Sequence, residues 1–330
     1  MLILITGGAG FIGSHLSERL LENNNSVIVV DNLYTGSEDN IKHLYDNENF
    51  KFVRKDICDL SNQYYNDYIF PLFEKHVERI YHLASPASPT QYMKDPLYTL
   101  DTNYIGTRNV LSLAEYIKMN HINIRVLFAS TSEVYGDPTE HPQTEKYFGN
   151  VNCFGPRACY DEGKRIGETL CYEYIKNRNL NVKIARIFNT YGERMQIDDG
   201  RVVSNFINAA LNGKDITVHG DGEQTRSFQY IEDLINGLSC LMESNVNEPV
   251  NFGNPDERTI KSFAILIKQF VRSKSNIVYN NDINIMNIMK DNPKRRKPDI
   301  SLAFDLFEWK PRFTTFYGLS RTIEYFRNLL

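Results

Sequence analysis

What the sequence lacks narrows the field first. Its five cysteines (Cys58, Cys153, Cys159, Cys171 and Cys240) contain no C-x-x-C pair. They read as reduced thiols, not as a disulfide scaffold or a zinc framework. The seven histidines form no ligand-spaced cluster, so no metal is expected. No apolar stretch approaches the roughly 20 residues that cross a bilayer, and no basic segment leads a long apolar one at the start. A soluble, cytoplasmic protein without signal peptide or membrane anchor is expected. A net charge of -4 and a pI near 6.0 leave no basic excess. That argues against nucleic acid as the main partner. Internal repeats and low-complexity linkers are missing too, so a second domain would be a lobe on the first. The remainder is ordinary globular composition: 330 residues, 42% hydrophobic and 24% charged. That length suggests roughly two domains.

What is present begins at once. The apolar run of residues 2–5 meets Thr6-Gly7-Gly8-Ala9-Gly10-Phe11-Ile12-Gly13, and a helical pattern carries Ile12, Leu16, Leu20 and Leu21 on one side. Gly7 permits a tight turn, Gly10 lets backbone approach a pyrophosphate, and Gly13 lets helix pack on strand. The helix start offers free N–H groups to phosphates. A second strand over 26–30 ends in Asp31, whose carboxylate suits both ribose hydroxyls and repels a 2′-phosphate. NAD is therefore expected over NADP.

Strand and helix patterns then alternate. Strands are expected at 50–53, 79–83, 124–129 and 182–187, with helices through 64–73 and 97–118. This alternation predicts an α/β fold, a doubly wound parallel sheet of Rossmann type. Asp56 and Ile57 follow the third strand, where they could flank an adenine. Ala84-Ser85-Pro86-Ala87-Ser88-Pro89 opens from the fourth. Beyond residue 188 the character changes: helices at 201–211, 231–242, 259–271 and 315–329, and short strands at 216–222, 224–230 and 249–252. Residues 1–188 read as a cofactor-binding domain and 189–330 mainly as a smaller α/β substrate lobe, the chain crossing between the two. In Pro293-Lys294-Arg295-Arg296-Lys297-Pro298 the prolines fix a loop, and one Arg there could clamp a diphosphate bidentately.

The stretch from Ser130 to Lys164 holds the chemistry. Thr131, Ser132 and Glu133 end the fifth strand, where open α/β sheets keep their ligands. Tyr160 and Lys164, at i and i+4, share a helix face. An ammonium there favours phenolate, and a Tyr so tuned can take a hydroxyl proton while hydride leaves the same carbon. Cys159 reads as packing.

Thr6-Gly7-x-x-Gly10-x-x-Gly13, Asp31 and Tyr160-x-x-x-Lys164 together resemble the extended short-chain dehydrogenase/reductase superfamily. Within it, the chain is similar over nearly its whole length to the UDP-glucuronic acid decarboxylases. The specific stretches are His82–Pro89 (His-Leu-Ala-Ser-Pro-Ala-Ser-Pro), Ser130–Pro138, Gly155–Arg165, Arg186–Thr190 and Arg296–Ile300. Glu193 and Gln196 depart from the family's usual Pro and His, and short insertions fall near 58–70 and near Asn120. The resemblance implies a redox-neutral reaction of UDP-glucuronate to UDP-xylose through a 4-keto sugar, with NAD as cofactor, no membrane partner and a homodimer. Tyr160 would be the base, Lys164 its tuner and ribose ligand, Thr131 and Ser132 would hold the 4-oxygen, and Glu133 would act near C5.

The cofactor contacts implied are Gly7, Gly10, Phe11, Ile12, Gly13, Asp31, Asn32, Leu33, Thr35, Asp56, Ile57, Leu83, Ala84, Ser85, Thr102, Ser130, Tyr160, Lys164, Thr190 and Arg201. For substrate they are Pro86, Ser88, Tyr92, Asn109, Ser132, Glu133, Tyr160, Asn189, Val203, Gln224, Arg226 and Arg296. Three other readings stay open. A UDP-apiose/xylose synthase would be marked by UDP-apiose. A 4,6-dehydratase or epimerase is opposed by Ser132, since the dehydratases carry Asp there, and by Glu133, an acid that the epimerases lack. A catalytically silent NAD-binding interaction protein is opposed by the intact Glu133, Tyr160 and Lys164.

Overall fold

A computed structural model describes residues 1–120, 122–282 and 291–330. Six parallel strands come from the first part of the chain: β1 (Leu2–Thr6), β2 (Ser26–Asp31), β3 (Phe50–Arg54), β4 (Arg79–His82), β5 (Arg125–Thr131) and β6 (Asn181–Ile187). They lie in the order β3-β2-β1-β4-β5-β6, and a seventh strand, Pro249–Phe252, pairs in parallel with β6. The doubly wound α/β reading holds. Every residue of β1 is buried, as a strand covered on both faces requires. Alternation divides it: Ile3 and Ile5 face one core, Leu2 and Leu4 the other. The first core is closed by the helices Phe11–Glu22 and Ile231–Glu243, the second by Thr107–Met119 and Ala158–Arg178.

The seventh strand belongs by sequence to the second lobe, so the chain returns to the first sheet after leaving it. That lobe is built on the helices Val202–Leu211, Ile260–Val271 and Thr315–Leu329. Short strand pairs join it: Ile216–His219 with Ile277–Asn280, and Thr225–Ser227 with Glu257–Thr259.

Three expectations change. Residues 224–230 are not one strand; Thr225–Ser227 pairs with Glu257–Thr259, while Gln229–Tyr230 pairs with Thr190–Tyr191. The helix expected over 64–73 is a short turn at Asn62–Tyr64, a π turn at Tyr65–Ile69 and a 3-10 turn at Phe70–Leu72 containing Pro71, whose ring ends regular bonding. The expected 97–118 helix runs as Pro96–Asp101 and Thr107–Met119 with a π turn between them. The strand Ile277–Asn280 and the helix Ser301–Phe307 had no counterpart in the sequence reading. No helix among the described residues is long and apolar enough to cross a membrane.

Candidate active site

The C-terminal ends of the strands open into one cavity of about 520 Å³ that runs from the Gly-rich turn to the second lobe. Its first end is built by local backbone. Gly7 adopts φ +74°, and a Cβ there would sit 2.6 Å from the Ala84 nitrogen. A Cβ on Gly13 would sit 2.3 Å from the Gly7 oxygen. Only glycines fit this cradle. The helix Phe11–Glu22 starts there with no side-chain cap and no acid in its first turn, leaving N–H groups for an anion. Asp31, buried at the end of β2, accepts N–H bonds from Ala9 (3.0 Å) and Leu33 (2.8 Å). Burial pushes its carboxyl up, and those two N–H groups oppose the push. Second lone pairs remain for sugar hydroxyls, so the residues fit a dinucleotide with a free ribose. Beside them the Asn32 amide and the Tyr98 hydroxyl donate to the same oxygen of Asp56, at 2.7 and 2.6 Å. Tyr98 escaped the sequence reading; it comes from the helical run after the Ser-Pro loop.

Two expected residues do not reach the cavity. Asn109 spends its amide on the carbonyls of Ile57 (3.0 Å) and Cys58 (2.7 Å), tying a helix to the loop after β3. Leu33 packs its side chain against the core, and its N–H serves Asp31. All the other expected cofactor, substrate and catalytic residues line the cavity. Gln196, in the position the family gives to His, donates to the Thr35 carbonyl at 2.9 Å.

At the middle of the cavity Tyr160 stacks on Tyr92, ring centroids 4.9 Å apart and planes 6° from parallel. Burial pushes the Tyr160 phenol up to about 12; a hydrogen bond from Thr131 opposes this and the Glu133 charge adds to it. Helix spacing puts Lys164 below it, as expected, but its ammonium donates to the Ala129 carbonyl at 2.9 Å and lies 5.9 Å from the Tyr160 ring centroid. Burial lowers Lys164 to about 7. Both groups are buried, and desolvation moves each toward its neutral form.

The far end is made by arginines. Glu133 sits in the turn Ser132–Tyr135 that follows β5. One of its oxygens accepts from Arg157 at 2.8 Å and from Arg296 at 2.7 Å. Burial would raise this carboxyl; the charges of Arg157, Arg296 and Arg226 outweigh it and hold the group well below the usual carboxylate range. Arg296 also donates to Asn189 at 3.0 Å, and Arg226 to Asn292 at 3.0 Å. Burial, then Arg296, lowers Arg226 to about 9. Asp161 lies beside this group, 3.8 Å from Arg157, and burial with the Glu133 charge raises its carboxyl. Three guanidiniums thus face one firmly ionised carboxylate, and the pocket keeps an excess of positive charge. Arg157, Asn292 and Asp161 were missed as site residues. Arg157 stands three before Tyr160, one helical turn away, and that spacing was the available signal.

Residues 3–253 match the NAD dependent epimerase/dehydratase family, and the chain belongs to it. Solved structures agree. The UDP-glucuronic acid 4-epimerase of Bacillus cereus, in complex with UDP-glucuronic acid and NAD, superposes with a TM-score of 0.85 at 30% identity, covering 100% of both chains. The UDP-glucose 4-epimerase of Thermotoga maritima, with UDP-glucose, gives 0.87 at 29% identity, over 100% of this chain and 99% of that one. Within the family the chain is one of the UDP-glucuronic acid decarboxylases. It is 52% identical to UDP-glucuronic acid decarboxylase 1 of Xenopus tropicalis over 99% of its length and 72% of the relative's. It is 48% identical to UDP-glucuronic acid decarboxylase 6 of Arabidopsis thaliana over 99% of its length and 89% of the relative's.

Proposed function

We propose that this chain decarboxylates UDP-glucuronate to UDP-xylose. The observation that carries the reading is the buried Glu133–Arg157–Arg296 group in one cavity with Tyr160 and the Gly7–Gly13 cradle. A cationic pocket suits a sugar that bears a carboxylate and a diphosphate. The Gly7–Gly13 turn and Asp31 would hold NAD, which would supply an acceptor, and once reduced a donor, of hydride for C4. Tyr160 takes the proton of the 4-hydroxyl; Thr131 and Ser132 hold the 4-oxygen. The 4-ketone then lies β to the C5 carboxylate, so carbon dioxide leaves and the electron pair delocalises onto the ketone oxygen. The enolate takes its proton at C5 from water, which the ionised Glu133 positions by accepting its other O–H. Asn189, Gln224, Arg226 and Arg296 hold nucleotide and diphosphate. Residues 1–188 serve mainly the cofactor and 189–330 mainly the substrate, in a protein of the cytoplasm.

The test is purified protein with NAD and UDP-glucuronate, products read by mass spectrometry. UDP-xylose with one carbon dioxide per sugar is expected. UDP-galacturonate alone would make the chain an epimerase, and UDP-apiose would add the second synthase activity. No turnover with tight NAD binding would leave a silent binding protein.

We also propose a homodimer. The helical run 96–119 and the helix Ala158–Arg178 expose Leu97, Leu100, Ile105, Ile166 and Tyr172, an apolar face that a second copy would cover. Light scattering at micromolar concentration should give twice the chain mass.

A further inference from the structure

Arg296 lies on a loop, residues 291–299, that has no helix or paired strand of its own apart from one bridge at Pro298. Its guanidinium nevertheless meets Glu133 at 2.7 Å. Before Arg296 the loop is tied at Lys294, whose carbonyl accepts from the Thr225 N–H at 3.0 Å and whose N–H donates to Asp137 at 2.9 Å; past Arg296 it is held by Gln143. This residue is completely buried and does not line the cavity. Its backbone N–H donates to the Lys297 carbonyl at 2.9 Å, and its carbonyl accepts from the Asp299 N–H at 2.8 Å. Its side-chain oxygen accepts from the Lys297 N–H at 2.8 Å, and its amide nitrogen donates to Glu140 at 2.8 Å. One residue thus satisfies the backbone on both sides of Pro298, which has no N–H to offer.

The attachment continues inward. Asn251, also completely buried, donates to the carbonyls of Gln143 and Asp299, both at 3.1 Å. Its side-chain oxygen accepts from the Tyr135 hydroxyl at 2.7 Å, which in turn accepts from Arg186 at 3.0 Å. Arg186 pairs with Glu168 at 2.7 Å, and Glu168 accepts from Ser130 at 2.5 Å. Ser130 stands three residues before Glu133 on β5. One chain of buried and partly buried hydrogen bonds therefore connects the strand end just before Glu133 to the loop that carries Arg296.

We propose that Gln143 is a positioning residue: touching neither ligand, it fixes the loop of Arg296 so that the guanidinium meets Glu133 and the substrate. The kinetic part of this inference rests on the proposed reaction; the structural part does not. Without the side chain, a partly buried N–H of Lys297 loses its partner and the loop relaxes. A displacement of about 1 Å breaks the 2.7 Å contact, and misplacement on that scale can cost about 10²-fold in rate.

The experiment is a double-mutant cycle of Gln143→Met, which keeps the volume and removes both side-chain bonds, with Arg296→Ala. Gln143→Met should lower UDP-glucuronate turnover by roughly 10- to 100-fold. It should alter whichever of kcat and KM Arg296→Ala alters, and leave NAD affinity unchanged. In the Arg296→Ala background it should cost less than about twofold more. Equal losses in both backgrounds, or no loss in the first, overturn the proposal. Should Gln143→Met fail to fold, Gln143→Glu is measured instead, which keeps the acceptor for Lys297 and loses the donor to Glu140: turnover and exchange at Lys297 within about twofold of wild type are expected, and a loss as large as that set for Gln143→Met overturns the proposal. Hydrogen exchange gives the readout independent of activity. In Gln143→Met the amides of Lys297 and Asp299 should exchange about tenfold or more faster, while those of the Ala158–Arg178 helix keep their rates. Unchanged exchange overturns the inference. A wild-type protein that makes no UDP-xylose sinks the proposed reaction instead, and the exchange result still decides the role of Gln143.

Discussion

The two ends of the cavity are built in opposite ways. The cofactor end is made by neighbours in sequence: Gly7, Gly10, Gly13 and Asp31 all lie within the first strand–helix–strand unit. The charged end gathers Glu133 from the turn after β5, Arg157 before the long helix, Arg226 from a three-residue strand and Arg296 from a loop. The first is backbone geometry, and a side chain added at Gly7 or Gly13 would destroy it. The second is a balance of charges between segments that meet only once the chain is folded. A cavity can thus inherit its cofactor from one local motif while its substrate preference depends on long-range assembly.

Tyr160 stands between the two ends, and removing it should have the largest effect. Tyr160→Phe is expected to abolish hydride removal from C4, a loss of about 10²–10⁴-fold or more, with neither the absorbance of reduced cofactor nor carbon dioxide appearing in single turnover. Normal production of UDP-xylose by this variant would show that the chemistry lies elsewhere.

Next in size is a stability effect confined to the charged end. Glu133→Ala leaves Arg157 and Arg296 buried without their carboxylate, which should cost about 3–5 kcal/mol in urea unfolding of the free protein. The same variant should turn over UDP-glucuronate about 10²–10⁴-fold more slowly. UDP-glucuronate, which brings a carboxylate of its own, should restore more stability than UDP-glucose does. Equal rescue by both sugars would mean that the arginines do not read the acid.

At the cofactor end the expected effect is smaller. Asp31 should make NAD bind roughly tenfold or more tightly than NADP in calorimetry, about 1.4 kcal/mol per factor of ten. Asp31→Ala should narrow that ratio; an unchanged ratio would remove Asp31 from cofactor choice.

The finest test uses pH. Lys164→Met removes a buried ammonium that donates to the Ala129 carbonyl at 2.9 Å beneath Tyr160. Lys164 itself is lowered to about 7 by burial, whereas an unfolded lysine holds its proton to about pH 10. Between those values the unfolded chain binds the extra proton, so this group's contribution to stability rises with pH and is lost as pH falls through 7. Lys164→Met should flatten that slope in unfolding measured from pH 7 to 10.

How much was legible follows the same division. The β1 turn, the helix after it and Asp31 could be read because period and punctuation are local there. That Thr131, Ser132, Glu133, Tyr160 and Lys164 share one cavity was legible for the same reason. The role of Arg157 was not, because it depends on Glu133 lying across the cavity, 24 residues back along the chain. Asn109 looked like a ligand and proved to be a helix-to-loop tie, since nothing local says which way an amide on that helix points. Residues 224–230 show the limit for strands: seven residues of extended pattern divide between two partners, and pairing decides where each strand stops. The lysine next to Tyr160 shows it for electrostatics, because spacing predicts proximity and says nothing of desolvation.

The strand Pro249–Phe252 also bears on how the protein can be divided. It covers the outer edge of β6 by pairing from Ile184 to Ile187, and it arrives only after some sixty further residues have crossed the second lobe. A chain stopped at residue 188 would keep every glycine of the cradle and the Tyr160–Lys164 pair. It would also present β6 with a row of unpaired backbone groups, an edge that invites pairing with another molecule. Residues 1–188 are therefore not a removable module: their sheet is completed by residues 249–252, and the two parts must be made and folded together.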